Sequence, residues 1–557
     1  MTAGATNSAV ADVLERHGRL LEVAGESPFR TRAFTRAAES LRLYPERVVE
    51  VAAGGRLREI PGIGEGIAAA IIQILETGSF EAHSRLTDRI PESLAELTAI
   101  PGIGAKTALR LHSDLGVDSL AALEAALVSG RVRATKGLGA RAEAAMLAGI
   151  KAVHRRSGRT PLGIALPAAR AFMTALSALR PKDALSLAGS ARRWEVTVGD
   201  LDFVVSSTDF RSTGAAIATL AMVTEIDWTD EQSMRVSLAS GQTADIYLSH
   251  PAAWGSTLIR ATGPAQHLEQ LGALPDQAAT EEEVYASRGL PFIPPELRSG
   301  HEEFERFADI RSLVTLGDIN GEFHAHTTWS DGNAPVREMA HAAAERGYSM
   351  LGITDHSQGL AVAGGLSVER LRLQRIEINE VNAETAVRLL AGAEVEVHRD
   401  GALDFDDETL GGLDIVVASL HSGLRQPRAE LMARLLRVLE NPNVDIIAHP
   451  SGRLIERREG GDFDWDRVFA VAAKTGTALE INADPARLDL DPAHAYSAGQ
   501  AGCLITINCD AHHPSGFSLM EYGVAMARRA WLKPDQILNC WSPGRIMEWL
   551  SPGGRPV

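Results

Sequence analysis

The sequence predicts a multidomain protein with an all-α N-terminal region, an α+β middle and an α/β C-terminal region. Three observations carry this. Apolar residues recur at helical spacing through roughly the first 150 positions, broken only by short glycine-rich segments. Between about 165 and 250, one helical pattern is followed by runs rich in Val and Ile with period-two alternation. From Gly317 onward, short apolar runs alternate with helical patterns, as in a parallel α/β barrel or sheet. The 557 residues suggest roughly three to five domains.

In chain order, VADVLERHGRLLEV and SLAELTAI are amphipathic helices. Three breaks between helices resemble one another: Ile60-Pro61-Gly62-Ile63-Gly64, Ile100-Pro101-Gly102-Ile103-Gly104 and Lys136-Gly137-Leu138-Gly139. HRRSGRTPLGIALP combines Pro, Gly and basic residues and reads as a linker. A helix, AARAFMTALSAL, then precedes strands in ALSLAG, WEVTVGDLDFVVS, MRVSLAS and TADIYLS. Residues 251–316 are mixed and mostly helical. Beyond them come INGEFHAH, MLGITDH, AVRLLAGAEVEV, LDIVVASLH, VDIIAHP, TALEINA and CLITINCDAH. The expected boundaries are 1–85, 86–160, 161–250, 251–316 and 317–557.

Composition narrows the class of function. No run of about 18 uncharged apolar residues occurs, so no membrane span is expected. The N-terminus lacks a basic flank before an apolar core, so it does not read as a secretory signal. Only Cys503, Cys509 and Cys540 are present, which argues against a disulfide framework and fits a reducing cytoplasm. The net charge of −17 argues at first against nucleic acid. A basic stretch nevertheless runs from Lys106 through Arg110, Arg131, Arg133, Lys136, Arg141, Lys151, Arg155 and Arg156 to Arg159. It contains only Asp114, Asp118, Glu124 and Glu143 as acids.

The C-terminal strands end in metal-type residues: His324 and His326, Asp331, His356, Glu394, His421, His449, then Asp510 and His512. In a parallel α/β fold, functional side chains gather at those strand ends. Residues two apart on a strand share a face, which is expected of His324 with His326 and of Asp510 with His512. Imidazoles mixed with carboxylates suit Zn²⁺, Mn²⁺ or Fe²⁺ better than Ca²⁺ or Mg²⁺ alone. Nine such residues exceed the needs of one ion, so two or three are implied. Clustered ions acidify water and neutralise phosphoryl charge, which points to phosphate-ester hydrolysis. Arg453, Arg457 and Arg458 follow the His449-Pro450 pair and could clamp phosphates.

A second acidic set lies upstream. Gly189-Ser190-Ala191-Arg192-Arg193 leads into Gly199-Asp200-Leu201-Asp202, and Asp245 ends another strand run. Asp200, Asp202 and Asp245 converging from two strands would hold two Mg²⁺ or Mn²⁺ ions, as nucleotidyl transfer requires. Gly189 and Ser190 would donate hydrogen bonds to a triphosphate, and Arg193 would add charge.

These motifs carry a family resemblance over nearly the whole chain. HAH…D…TDH…E…H…AHP…DAH resembles the polymerase-and-histidinol-phosphatase (PHP) domain, a distorted (β/α)7-type barrel. GSARR with DLD resembles the nucleotidyltransferase palm of X-family DNA polymerases, and the glycine breaks resemble their helix-hairpin-helix motifs. Together they resemble the bacterial X-family polymerases with a C-terminal PHP domain. The resemblance implies that His324, His326, Glu394 and Asp510 hold one ion. Glu394, His421 and His449 would hold a second, and Asp331, His356 and His512 a third. It implies DNA contacts at Gly62, Gly64, Gly102, Gly104, Lys106, Gly137, Gly139 and Arg453, with a monovalent cation at the hairpins. Thr262 and Gly263 would join the nucleotide site.

The implied protein is a cytoplasmic, nucleoid-associated monomer that binds gapped or primer-template DNA and dNTPs. It would fill short gaps and trim 3′-ends. Two departures bear on that. Arg260-Ala261 stands where the family usually has Tyr-Phe, which removes an aromatic platform. Ala70 stands where lyase members have a Schiff-base lysine, and the helix GEGIAAAII has no lysine at all, so no lyase activity is expected there. A nuclease with a weak or inactive palm is the alternative, and a small-molecule phosphatase is a third reading.

Overall fold

A computed structural model describes residues 7–555 except 45, 99, 101–102, 118, 136–137, 140–141, 148–158 and 552. The hairpin residues Gly102 and Gly137, and Lys136, Arg141, Lys151, Arg155 and Arg156 of the basic stretch, therefore lie outside the described residues. The chain forms two compact units, Met1–Phe292 and Ile293–Val557.

The first unit opens with helices. Asn7–Val23 places Val10, Ala11 and Leu14 in one apolar core and Val23 in the next, so a single helix bridges the expected boundary near 85. The glycine breaks share one design. Ile60, Ile63, Ile100 and Ile103 are buried, while Gly62, Gly64 and Gly104 are exposed. The Ile63 amide donates to the Ile60 carbonyl at 3.1 Å, Ile103 to Ile100 at 3.0 Å, and Leu138 to Thr135 at 3.0 Å. Gly62 has φ +80°, a conformation L side chains resist. Gly64 and Gly104 cap the N-termini of Glu65–Thr77 and Ala105–Leu115 without any side-chain cap. No atom lies within 4 Å of a Cβ built at either. The first N–H groups of both helices thus face open space, as an anion-binding hairpin needs.

The rest of this unit is α+β. Strands β1 (Thr160–Pro161), β2 (Leu185–Ala188), β3 (Thr197–Val198), β4 (Leu201–Ser206), β5 (Val223–Trp228), β6 (Ser233–Leu238) and β7 (Thr243–Ser249) precede a run of short helices. β1 and β3 form a small antiparallel pair, and the others a mixed sheet in the order β2-β4-β7-β6-β5. β4 and β7 run parallel, with Asp202 beside Asp245. Strand β5, VTEIDW, is missing from the sequence-based reading; it is an edge strand whose mostly exposed side chains give no buried alternation. Helix Leu162–Leu179 backs the sheet, with Phe172 on Phe203 at 4.6 Å between centroids. Among the described residues it alone has the length and hydropathy of a membrane span, although Arg170 interrupts it.

The second unit is a parallel sheet of seven strands in sequential order: β8 (Gly321–Ala325), β9 (Met350–Ile353), β10 (Arg388–Glu396), β11 (Ile415–Ser419), β12 (Ile446–Ile447), β13 (Ala478–Asn482) and β14 (Ile505–Asn508). Nearly every strand residue is buried, hence the continuous apolar runs of the sequence. The sheet almost closes. One bridge joins Ala325 to Ala511, and buried side chains complete the seam. Asn539 Nδ2 donates to the carbonyls of Gly321 (2.9 Å) and Ile507 (2.7 Å), and the Phe323 amide donates to Asn508 Oδ1 at 3.1 Å. Helix Pro543–Leu550 packs Ile546 and Trp549 against Ile415, Ile446 and Ala478 at the strand starts. That leaves the opposite, C-terminal ends for a site.

The unit starts at Ile293 rather than at the expected 317. Segment 293–316 is tied to it by Arg528 on Glu296 (2.7 Å), Lys533 on Asp309 (3.0 Å) and the Val314 amide on the Leu532 carbonyl (3.1 Å). The expected thumb and connector, 251–316, is accordingly divided between the two units.

Candidate metal centre and palm site

All nine predicted ligands meet at the strand ends of the second unit, around Glu394. Its Oε2 lies 2.7 Å from His356 Nδ1, 3.4 Å from His324 Nε2 and 3.6 Å from His326 Nε2. Its Oε1 lies 3.1 Å from His449 and 3.2 Å from His421. Donor atoms cluster as His324, His326 and Asp510; as His356, Glu394 and His421; and as His326, Asp331, His356 and His512. His449 joins the second set through Glu394. Compared with the grouping implied by family resemblance, His326 and His356 each serve two sets.

The donors fit metal ions on structural grounds. His324 Nε2, both nitrogens of His326, His356 Nδ1, Glu394 Oε2 and His449 Nδ1 are buried without a hydrogen-bond partner. Such orphaned polar atoms are costly unless something binds them. Burial opposes charge on Glu394, yet His356, His421 and His324 hold it well below the usual carboxylate range. Burial and the neighbouring imidazoles of His356 and His512 push His326 down to about 3. Burial also works against charging His421, but Glu394 and Glu396 lift it to about 9. A divalent cation would replace these protons as the balancing positive charge.

Asp510 and His512 do not sit on a strand as expected. They follow β14, and Asp510 has φ +53°, which ends the extended run. That turn aims Asp510 Oδ1 at His326 (3.1 Å) and His512 Nε2 at Asp331 (3.3 Å). His449, at φ +30°, is likewise held in a sparsely populated conformation, as functional residues often are. Supporting acids escape the sequence reading. Glu480 accepts from His324 Nδ1 (2.8 Å) and from the His449 amide (2.6 Å), and Glu396 binds His421 Nδ1 (2.7 Å). Such partners fix ring orientation and basicity. Asp355 takes the amides of Thr327 (2.8 Å) and Ser330 (3.1 Å), which holds the loop carrying Asp331. Period two relates Glu396 to Glu394 on β10, the one signal that could have revealed it.

In the first unit, β4 and β7 bring the palm acids together, with Asp200 just before β4 and Asp245 third on β7 rather than at a strand end as expected. Burial, then Asp200 and Asp245, raise Asp202 to about 7, so the three carboxylates share one electrostatic environment that a divalent ion would relieve. Asp245 is held by Arg235 through two bonds of 2.8 and 2.7 Å. Gly189 has φ +59°, and a Cβ there would fall 1.8 Å from Asp202 Oδ2. Its absent side chain is therefore what admits the carboxylate. Ser190 is half-buried beside it. Arg193 donates to the Thr262 carbonyl. Arg192 binds Thr262 Oγ1 at 3.0 Å and Glu281 at 2.8 and 2.7 Å, so buried Thr262 is a brace for the GSARR turn. Gly263 packs against His267 and Leu268. Tyr247, two residues past Asp245 on β7, favours the charged form of Asp202 and was not anticipated.

Three segments match known families: residues 5–80 a helix-hairpin-helix domain, 94–152 a SAM-like helix-hairpin-helix tandem, and 322–484 the PHP domain. The DNA polymerase/3′-5′ exonuclease PolX of Bacillus subtilis (strain 168) is 35% identical over 553 residues, covering 95% of this chain and 96% of that protein. The chain belongs to the PolX family. Probable phosphatases are also similar. One from Thermoanaerobacter sp. (strain X514) is 27% identical over 252 residues, 42% of this chain and 95% of its own length. Another, from Syntrophotalea carbinolica, is 28% identical over 235 residues, 39% of this chain and 90% of its own.

Within the PolX frame, the departures acquire a structural meaning. Arg260 is exposed on helix Trp254–Thr262, and Ala261 packs beside the Ala188, Val204 and Leu258 cluster. Ala70 is buried in the first helical core, a position where a lysine ammonium would be stripped of water. Lys106 is exposed on the first turn of Ala105–Leu115, beside the Gly104 hairpin. Arg453 differs from expectation. Its guanidinium is taken up by the carbonyls of Arg487 (2.8 Å) and Leu488 and by Asp491 (3.3 Å). The cation that reaches the metal centre is instead Arg487, with Nε 3.9 Å from Asp510 Oδ2.

Proposed function

We propose that this chain is a DNA repair polymerase that fills short gaps by template-directed nucleotidyl transfer and removes nucleotides from 3′-ends at its PHP centre. The single observation that carries this is full-length similarity to the PolX enzyme, spanning both acidic centres. The exposed hairpin N–H groups support backbone, sequence-independent DNA contacts. Asp200, Asp202 and Asp245 would hold Mg²⁺ or Mn²⁺ and receive the dNTP triphosphate. Gly189 gives Asp202 its room, and Arg192 with Thr262 holds the adjacent turn. At the PHP centre the nine ligands would hold two or three Mn²⁺, Zn²⁺ or Fe²⁺ ions. When bound, these supply activated water and positive charge to a phosphodiester. Glu480 and Glu396 keep the imidazoles aimed, and Arg487 adds fixed charge beside them. The enzyme would act as a monomer at the nucleoid.

A labelled gapped duplex with Mn²⁺, with and without dNTPs, tests both activities. Asp202→Ala is expected to abolish extension while keeping 3′-trimming, and His326→Ala the reverse. Equal, negligible extension by wild type and Asp202→Ala would make the palm a binding module only. Rapid turnover of a phosphate monoester without DNA cleavage would favour a phosphatase.

A further inference from the structure

Three consecutive strand-end loops of the second unit each carry an arginine. Arg425 follows the ligand His421 after β11, Arg458 follows His449 after β12, and Arg487 follows β13. The loops lock together. Leu424 packs so tightly on Gly452 that a Cβ there would lie 2.6 Å from its Cδ1. The Ile455 amide donates to the Ala486 carbonyl at 2.7 Å, and Leu454 and Arg458 exchange backbone bonds of 2.8 Å. The amides of Ser451 (3.2 Å) and Gly452 (2.9 Å) share the buried Asp489 carboxylate. Arg458 Nε donates to the Gly452 carbonyl at 2.7 Å. Arg453 pins the carbonyls of Arg487 and Leu488 from behind.

This frame gathers positive charge and leaves some of it unanswered. Burial, then Arg487 and Arg425, lower the pKa of Arg458 against the opposing pull of Asp489. Arg487 Nη1 is buried with no hydrogen-bond partner, although its Nε lies 3.9 Å from the metal-site carboxylate of Asp510. The buried Asp489 carboxylate beside them already accepts two amides. Like charges that oppose one another are relieved by an anion, and the guanidinium fork matches a phosphate. Arg487 is half-buried next to the metal centre, whereas Arg425 is exposed, so the charge leads from the centre outward.

We propose that Arg425, Arg458 and Arg487 form an anion subsite for an internal phosphodiester of a polynucleotide strand whose terminal nucleotide lies at the metal centre. The subsite selects strands over phosphate monoesters, and it rests on the nuclease reading above.

The test compares a thymidine trinucleotide with p-nitrophenyl phosphate, using the full chain with Mn²⁺. For Arg458→Ala, and for Arg425→Gln at its exposed position, the loss of kcat/KM on the trinucleotide is expected to exceed that on the monoester by about tenfold, mainly through KM. A second readout needs no turnover. Binding of a phosphorothioate trinucleotide to chelator-treated protein should weaken by a similar factor, with metal content after reloading unchanged by elemental analysis. Equal losses on both substrates, or undiminished trinucleotide binding in both variants, would overturn the subsite. Absence of 3′-trimming by the wild type would instead overturn the nuclease reading.

Discussion

Gly189 occupies the space beside the Asp202 carboxylate, and that space exists only because the residue has no side chain. Gly189→Ala would place a methyl carbon 1.8 Å from Asp202 Oδ2, on a backbone with φ +59°. The carboxylate must then swing away. Displacing a catalytic group by about 1 Å costs roughly a hundredfold in rate, so gap filling should fall by about that factor. The 3′-trimming activity of the other unit should be retained, as assays of both activities on one DNA would show. At this scale the nine candidate ligands that meet around Glu394 were readable from sequence, because His, Asp and Glu at strand ends have few other reasons to recur. Glu480 was not readable: a glutamate inside ALEIN looks like one outward position of a strand until the barrel encloses it. Arg453 was misread for the opposite reason, since only the folded loop shows that carbonyls consume its donors.

Helix Asn7–Val23 carries a pH-sensitive packing element. His17 sits between Phe34 and Phe80, with ring centroids 4.6 and 4.7 Å away, and neither of its nitrogens has a partner. Burial, with His83 and Arg30 nearby, pushes its pKa down from 6.5 to about 4. Between those values the unfolded chain binds more protons than the folded one, so stability falls as pH drops. The contribution is complete above about pH 6.5 and is lost towards pH 4, amounting to about 3 kcal/mol. Hydrogen exchange of the first helical core at pH 7.5 and pH 5 should show this loss. His17→Leu should flatten the dependence, and an unchanged slope in that variant would refute the assignment. The helices and most strands were legible from periodicity. The exposed edge strand β5 and the turn at Asp510 were not, because neither leaves a buried alternation to detect.

For the whole molecule, two compact units imply two unfolding transitions with different ligand dependence. The second unit buries a set of unpartnered nitrogens and a carboxylate oxygen around Glu394, so divalent ions should stabilise it selectively. At a free concentration about a hundredfold above Kd, binding adds roughly 2.7 kcal/mol. Calorimetry with excess chelator and with Mn²⁺ should therefore move one transition by several degrees and leave the other in place. Chelation should abolish 3′-trimming in parallel. Movement of both transitions together would mean that the units do not unfold separately.

By itself the sequence determined which chemistry is present: nine metal-type residues in order, three palm acids behind a GSARR turn, and repeated IPGIG hairpins. These are local patterns, set by residue type and short spacing, and a linear text preserves them. Tertiary structure alone decided which donor atoms cluster, which arginine faces the centre, why position 189 is glycine and where the second unit begins. Each of those depends on loops far apart in sequence meeting at strand ends. Spacing along the chain carries no record of such meetings, because burial, register and hydrogen-bond competition arise only when the barrel and the sheet form.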